Sequence, residues 1–229
     1  MKQHYPVTIT TASTIVFVVM LICALVTTTR STFTSLQWRF NEAQAVQETQ
    51  EYAPHITNGN LVENLSLVFN IGKQVGDPET LQAILLQETN GGRSELIGNK
   101  DSPVGKRSYG LMQVQVCAAR EVLERNPELL QTYFRGRKYG NIADEEVIAL
   151  LLVNREANVK IAAYHFRYYK TLAGGDWDKT VAGYNGGVVL MQKIKHPAEF
   201  RYVKDIRQKL TSTIRPFNRE HGLQLTQRF

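Results

Sequence analysis

The stretch Asp77-Pro-Glu-Thr-Leu81-Gln-Ala-Ile84-Leu85-Leu-Gln-Glu88-Thr-Asn-Gly-Gly92 carries helix punctuation at both ends. Asp77 can cap a helix, and Pro78 suits its first position, where no N–H is needed and φ is already helical. Gly91 and Gly92 mark its stop. Between them Leu81, Ile84 and Leu85 form one apolar stripe. The next place on that stripe, four residues after Ile84 and seven after Leu81, is held by Glu88. The period therefore turns a carboxylate inward, in the last turn of a helix beside a glycine-rich loop that can open onto a cleft. Burial disfavours the charged form and raises a carboxyl pKa, as a general acid working near neutral pH requires. The same position also suits a buried glutamate in an ordinary ion pair.

Outward from this helix, helical spacing predicts further segments at 61–75, 111–124, 127–134, 144–171, 176–185 and 197–213, with a polar loop or small β-excursion at 90–107. Alternating strand patterns are scarce and no repeat is visible, so the expected fold class is mainly α, with the main domain at 61–215. Residues 31–60 are polar and rich in Gln and Thr, as a stalk would be, and 216–229 read as a basic tail. Val7 to Thr29 contains no charged residue, and about 20 helical residues cross a hydrocarbon core of about 30 Å. Residues 1–30 are therefore expected to be an N-terminal transmembrane anchor. A cleaved signal segment is the alternative, although Val26-Thr-Thr-Thr-Arg30 lacks the small-x-small pattern of a cleavage site. Flanking charge gives no orientation, since Lys2 on one side faces Arg30 and Arg39 on the other.

The composition, 229 residues with 43% hydrophobic and 21% charged, fits one globular domain with an appendage. A formal charge of +6 points to an anionic partner such as cell wall, phospholipid or nucleic acid. Residues 197–229 hold seven Lys/Arg against three Asp/Glu, but no nucleic-acid motif accompanies them, so nucleic acid is not expected as a partner. Cys23 lies in the apolar run and Cys117 in mid-chain, too far apart in context to pair. Cys117 is expected as a small buried apolar residue.

Other candidates are individually weaker. In Ser108-Tyr-Gly110-Leu-Met-Gln113-Val114, Gly110 permits close backbone approach and Gln113 offers donor and acceptor to a neutral ligand; an ordinary helix entry reads the same way. Trp177, Val181 and Tyr184 share a helix face that Gly186-Gly187 ends just after Asn185. Tyr184 thus places a phenol at an inner helix end, to be met by a carboxyl or by backbone. Asn158 shares a stripe with Ile161, Ala162 and His165, where a buried amide must be bonded, to structure or to substrate. His165 reads as a core or half-exposed histidine, and no metal spacing surrounds it.

Taken in order, Leu81-Gln-Ala-Ile-Leu-Leu-Gln-Glu88-Thr-Asn-Gly-Gly92, Gly110-Leu-Met-Gln-Val114, Asn158-Val-Lys-Ile-Ala162 and Ala182-Gly-Tyr-Asn-Gly-Gly187 resemble the blocks of the soluble lytic transglycosylase family, whose lysozyme-like fold is related to goose-type lysozyme. Glu199-Phe-Arg-Tyr-Val203 is similar to that family's closing helix. The resemblance spans about residues 77–210. The departures are Thr89 where the family commonly has Ser, Gly183 where it usually has Ala, Val116 in place of a frequent Pro, and a long interval from Val114 to Asn158.

The resemblance implies a peptidoglycan lytic transglycosylase. Its substrate would be the β-1,4 bond between N-acetylmuramic acid and N-acetylglucosamine, its product a 1,6-anhydromuramic acid end, and it would need no cofactor or metal. Glu88 would be the catalytic acid and then base, Tyr184 would orient it or the N-acetyl group, and Gln113, Asn158 and Asn185 would line the cleft. Ser108 would contact substrate or hold the Glu88 loop. A hydrolytic lysozyme would need a second carboxylate, for which Glu95 and Asp101 are the nearby candidates; an inactive glycan-binding assembly protein would have no use for Glu88. A wall substrate places the domain on the periplasmic side of the inner membrane, or in a virion or outside the cell if the leader is cleaved. Tethering suits local remodelling beside a secretion, conjugation or phage-entry apparatus.

Overall fold

The computed structural model describes residues 60–94 and 96–223. The expected anchor at 1–30, the expected stalk up to residue 59, and Glu95 lie outside them. Among the described residues no helix is long and apolar enough to cross a membrane. The fold is mainly α, as the periodicity predicts.

Helix α1, Leu61–Gly72, starts where Asn60 accepts from Val62 N at 3.0 Å, and buries Leu65, Val68 and Phe69. It packs against α2, Pro78–Thr89, the helix of the quoted stretch. Leu81, Ile84 and Leu85 are all fully buried, so the stripe faces the core as its spacing requires. Asp77 precedes α2 without capping it; its carboxylate pairs with Lys170 Nζ at 2.5 Å, which ties α2 to a helix far along the chain. Asn90, at φ 51°, ends α2 in the left-handed conformation, and Gly91 and Gly92 continue the turn with φ of 75° and 90°.

The polar segment after α2 contains a three-stranded antiparallel sheet in the order β1 (Ile97–Gly98), β2 (Ser108–Tyr109), β3 (Val114–Gln115). Gly98 pairs with Ser108, and Tyr109 with Val114. The expected helix from 111 begins later, as α3 (Val116–Arg125), because residues 110–113 form the tight turn between β2 and β3. That turn has positive φ at Gly110 (75°) and Gln113 (50°), values no helix contains.

Helix α4 is Pro127–Phe134, as predicted. The single helix expected over 144–171 is two, α5 (Asp144–Val153) and α6 (Arg155–Leu172), because Asn154 leaves helical geometry and its side chain accepts from Ala157 N at 2.9 Å as the cap of α6. Helix α6 packs against α1, α3, α5 and the next helix, α7, and so forms the centre of the domain. Helix α7, Trp177–Lys193, continues beyond the expected stop at 185; Gly187 (φ 78°, ψ 177°) breaks it, and helical structure resumes on the far side.

The closing segment is α8 (Arg201–Lys209), a π-helical turn (Leu210–Ile214) and α9 (Arg215–Glu220). Pro216 has no N–H to give the Ser212 carbonyl, and Arg215 N–H bonds Leu210 instead, which widens the turn. Ordered structure continues past the boundary drawn at 215. Asn218 is 3% exposed and exchanges two hydrogen bonds with the Gln82 side chain, at 3.0 and 2.9 Å, while Gln82 also donates to Leu65 O.

Candidate functional site

A cleft of about 400 Å³ opens where the end of α2, the small sheet, α3, α6 and the Gly187 break in α7 come together. Its lining includes Glu88, Asn99, Ser108, Gln113, Glu121, His165, Tyr184 and Asn185. Of the sequence-derived candidates, Glu88, Ser108, Gln113, Tyr184 and Asn185 thus share one cavity. Asn158 does not line it.

Glu88 lies in the last turn of α2 and is half-buried. Burial pushes its carboxyl above the usual range, and the Tyr202 hydroxyl, which donates to Oε1 at 2.5 Å, pulls it partly back by stabilising the anion. The phenol bonded to Glu88 is thus Tyr202 of α8, not Tyr184. The Tyr184 hydroxyl donates to Met112 O at 3.1 Å, so this phenol is bonded to backbone. It still sits within the field of Glu88, and burial together with that charge holds both phenols well above their usual range. Tyr202 is 8% exposed, on a face it shares with Val203 and Ile206. Sequence spacing carried that signal: Tyr202, Val203 and Ile206 fall on one stripe of an otherwise charged helix.

Thr89 supplies the hydroxyl that fixes the Glu88 turn. Fully buried, it donates to Leu111 O at 2.8 Å and accepts from Gly92 N at 3.1 Å, joining the end of α2 to the turn between β2 and β3. Asn158 anchors the same turn from below. Its Nδ2 donates to Tyr109 O at 2.9 Å and its Oδ1 accepts from Met112 N at 2.8 Å, with no exposed surface. Both ends of the amide are used on backbone, so Asn158 positions the cleft wall and does not meet a ligand. Gly110 makes this possible, since a Cβ there would lie 2.3 Å from Asn158 Nδ2 and from Leu151 O.

Ser108 and Gln113 are also bonded to one another. Ser108 Oγ donates to Gln113 Oε1 at 2.8 Å, and Gln113 Nε2 donates to Gly110 O at 2.9 Å. Both still line the cleft, Ser108 from a position only 8% exposed. Asn185 is exposed at the rim.

Cys117, expected to be buried, is exposed on the cleft wall, in the first turn of α3. Glu121, one turn further along α3, is the cleft's other carboxylate among the described residues; it is exposed and pairs with Arg125 at 3.4 Å. Of the two acids named from sequence as its possible partners, Asp101 is exposed and does not line the cleft, and Glu95 is outside the described residues. Among the described residues no group of His, Cys, Asp and Glu is arranged to hold a metal ion.

Compared with family models, with curated proteins and with solved structures, the chain matches none. The chemical reading therefore rests on the geometry. It offers a carboxyl that keeps its proton to higher pH than an exposed one, has one oxygen fixed by a phenol, and belongs to a residue that lines a cleft. Such a group can give a proton to a leaving oxygen and take one back in a later step.

Proposed function

We propose that this protein is a membrane-tethered lytic transglycosylase of the lysozyme-like kind, cleaving the β-1,4 bond between N-acetylmuramic acid and N-acetylglucosamine in peptidoglycan. The observation that carries the proposal is Glu88, half-buried at the end of α2, raised in pKa by burial and held by Tyr202 at one wall of an open cleft. A small antiparallel sheet next to this helix end, and a helical lobe behind it, accord with a lysozyme-like domain.

In the proposed reaction Glu88, protonated, gives its proton to the glycosidic oxygen as the bond to C1 breaks. The substrate's own acetamido oxygen stabilises the cationic C1. Glu88, now a carboxylate, takes the proton from the C6 hydroxyl while O6 bonds to C1. The product is the 1,6-anhydro sugar, no water is consumed, and Glu88 ends protonated as it began. Tyr202 assists the middle stage, since its hydroxyl bond stabilises the carboxylate form. Ser108, Gln113 and Asn185 line the path of the strand, and the tether rests on the uncharged run from Val7 to Thr29.

One observation favours a second reading. Glu121 shares the cleft, and a hydrolase of inverting type needs a second carboxylate to activate water. Digestion of purified sacculi by the full-length chain in detergent separates the two. Anhydro ends support the transglycosylase, reducing ends support the hydrolase, and intact sacculi remove both.

A further inference from the structure

The proposed reaction leaves part of the cleft unused. His165, on α6, lines it beside Tyr169, Tyr184 and Glu121 and is only 9% exposed. Tyr169 meets its ring edge-on, with centroids 4.8 Å apart at 85°, and Tyr184 lies 5.9 Å away at 62°. Nδ1 is sealed off with no hydrogen-bond partner among the described residues. Burial, aided by the charge of Arg125, holds the imidazole pKa down to about 4, so the ring is neutral near pH 7.

A neutral imidazole carries one N–H and one lone pair. With the proton on Nδ1, a buried donor would have nothing to bond, which is the costlier way to leave that nitrogen. The ring therefore favours the tautomer with its proton on Nε2, the nitrogen left to meet the cleft. Leu or Phe would fill the same space with no polar group to desolvate. An imidazole kept neutral, clamped by two tyrosines and given no hydrogen-bond partner at Nδ1 among the described residues is a site prepared for a ligand.

We propose that His165 is a sugar-contact residue: its Nε2–H donates to the acetamido carbonyl oxygen of a sugar bound beside the one cleaved at Glu88. This rests on the reading of the cleft as a glycan site. Tyr184 links the two positions, its hydroxyl end in the field of Glu88 and its ring beside His165. A neutral donor next to aromatic carbon suits an uncharged acetamido group, and Glu121 at the same wall disfavours an anion.

The test uses the full-length chain in detergent as Glu88→Gln, which binds without cleaving, titrated with the N-acetylglucosamine trimer and followed by the imidazole ¹⁵N signals of His165. The proposal expects an Nε2-protonated ring whose Nε2 signal shifts on saturation. His165→Leu in the same background should weaken trimer binding by roughly three- to tenfold, the usual worth of one neutral hydrogen bond. His165→Gln, which keeps a donor, should restore part of it. On sacculi, with Glu88 intact, His165→Leu should raise KM by a similar factor and leave kcat within about twofold, a split that general loss of structure does not give. Imidazole signals unmoved at trimer saturation overturn the proposal alone, while cleavage of sacculi by the parent chain stands. A parent chain that neither cuts sacculi nor binds the trimer overturns the reading and this inference together.

Discussion

The Tyr202 hydroxyl donates to Glu88 Oε1 at 2.5 Å, across 114 positions of sequence. Through this bond the closing helix α8 bears directly on the acid at the end of α2. Because the phenol stabilises the carboxylate, it holds the pKa of Glu88 lower than burial alone would.

Removing that hydroxyl gives a prediction of definite sign. Tyr202→Phe leaves desolvation unopposed, so the Glu88 pKa rises further. The proposed reaction starts from protonated Glu88, so activity should fall as pH climbs through its pKa, and the alkaline limb of kcat/KM should move up by about one pH unit, the equivalent of about 1.4 kcal/mol. At the pH optimum kcat should fall about tenfold with KM little changed, because the anion is stabilised less in the step that needs it. A pH profile of both proteins checks this.

Glu88 should also cost stability at neutral pH. Its folded pKa is raised above the unfolded value near 4.5, so its favourable contribution is complete below that value and is lost as pH rises through the folded pKa. Glu88→Gln, which never ionises, should therefore gain in melting temperature relative to the parent as pH goes from 4 to 8. Calorimetry across that range checks the sign.

Asn158 belongs to the scaffold, and its loss should read that way. Asn158→Ala strands the buried Met112 N–H, at about 1–3 kcal/mol, and takes the side-chain bond from Tyr109 O, at about 0.5–1.5 kcal/mol. Denaturant melts should show a loss of about 2–5 kcal/mol. Below the new transition KM should stay near the parent value. A large rise in KM in a fully folded variant would instead return Asn158 to the substrate.

Residues past 215 should matter to stability in a similar way. Asn218→Ala leaves the buried Gln82 amide with only Leu65 O, and should cost about 1–3 kcal/mol in a denaturant melt. Truncation after Ile214 should cost at least as much.

Residues 77–92 are the most legible part of the chain, because helix periodicity and turn chemistry are local. Leu81, Ile84 and Leu85 are buried as their spacing requires, Pro78 opens the helix, and Glu88 reaches a cleft wall. What was not legible depends on contacts made far along the chain. Asp77 looks like a cap from its neighbours, but it answers to Lys170. Tyr184 and Tyr202 both sit at inner helix faces, and only the packing of α8 onto α2 shows which one meets Glu88. Gly110 and Gln113 read as the entry to a helix because positive φ leaves no periodic trace; their turn pushes the start of α3 to Val116 and, with it, Cys117 onto the cleft. Asn154 interrupts what reads as one long helix, since a cap there is compatible with apolar spacing on both sides.

The most direct measurement of the central claim is mass analysis of muropeptides released from purified sacculi in H₂¹⁸O, by the full-length chain and by Glu88→Gln. The parent should release anhydro-muramic ends with no ¹⁸O, and release should be reduced by at least about a thousandfold in the variant, the scale of a lost general acid that also serves as base. ¹⁸O-labelled reducing ends from the parent, or equal release by Glu88→Gln, would contradict it.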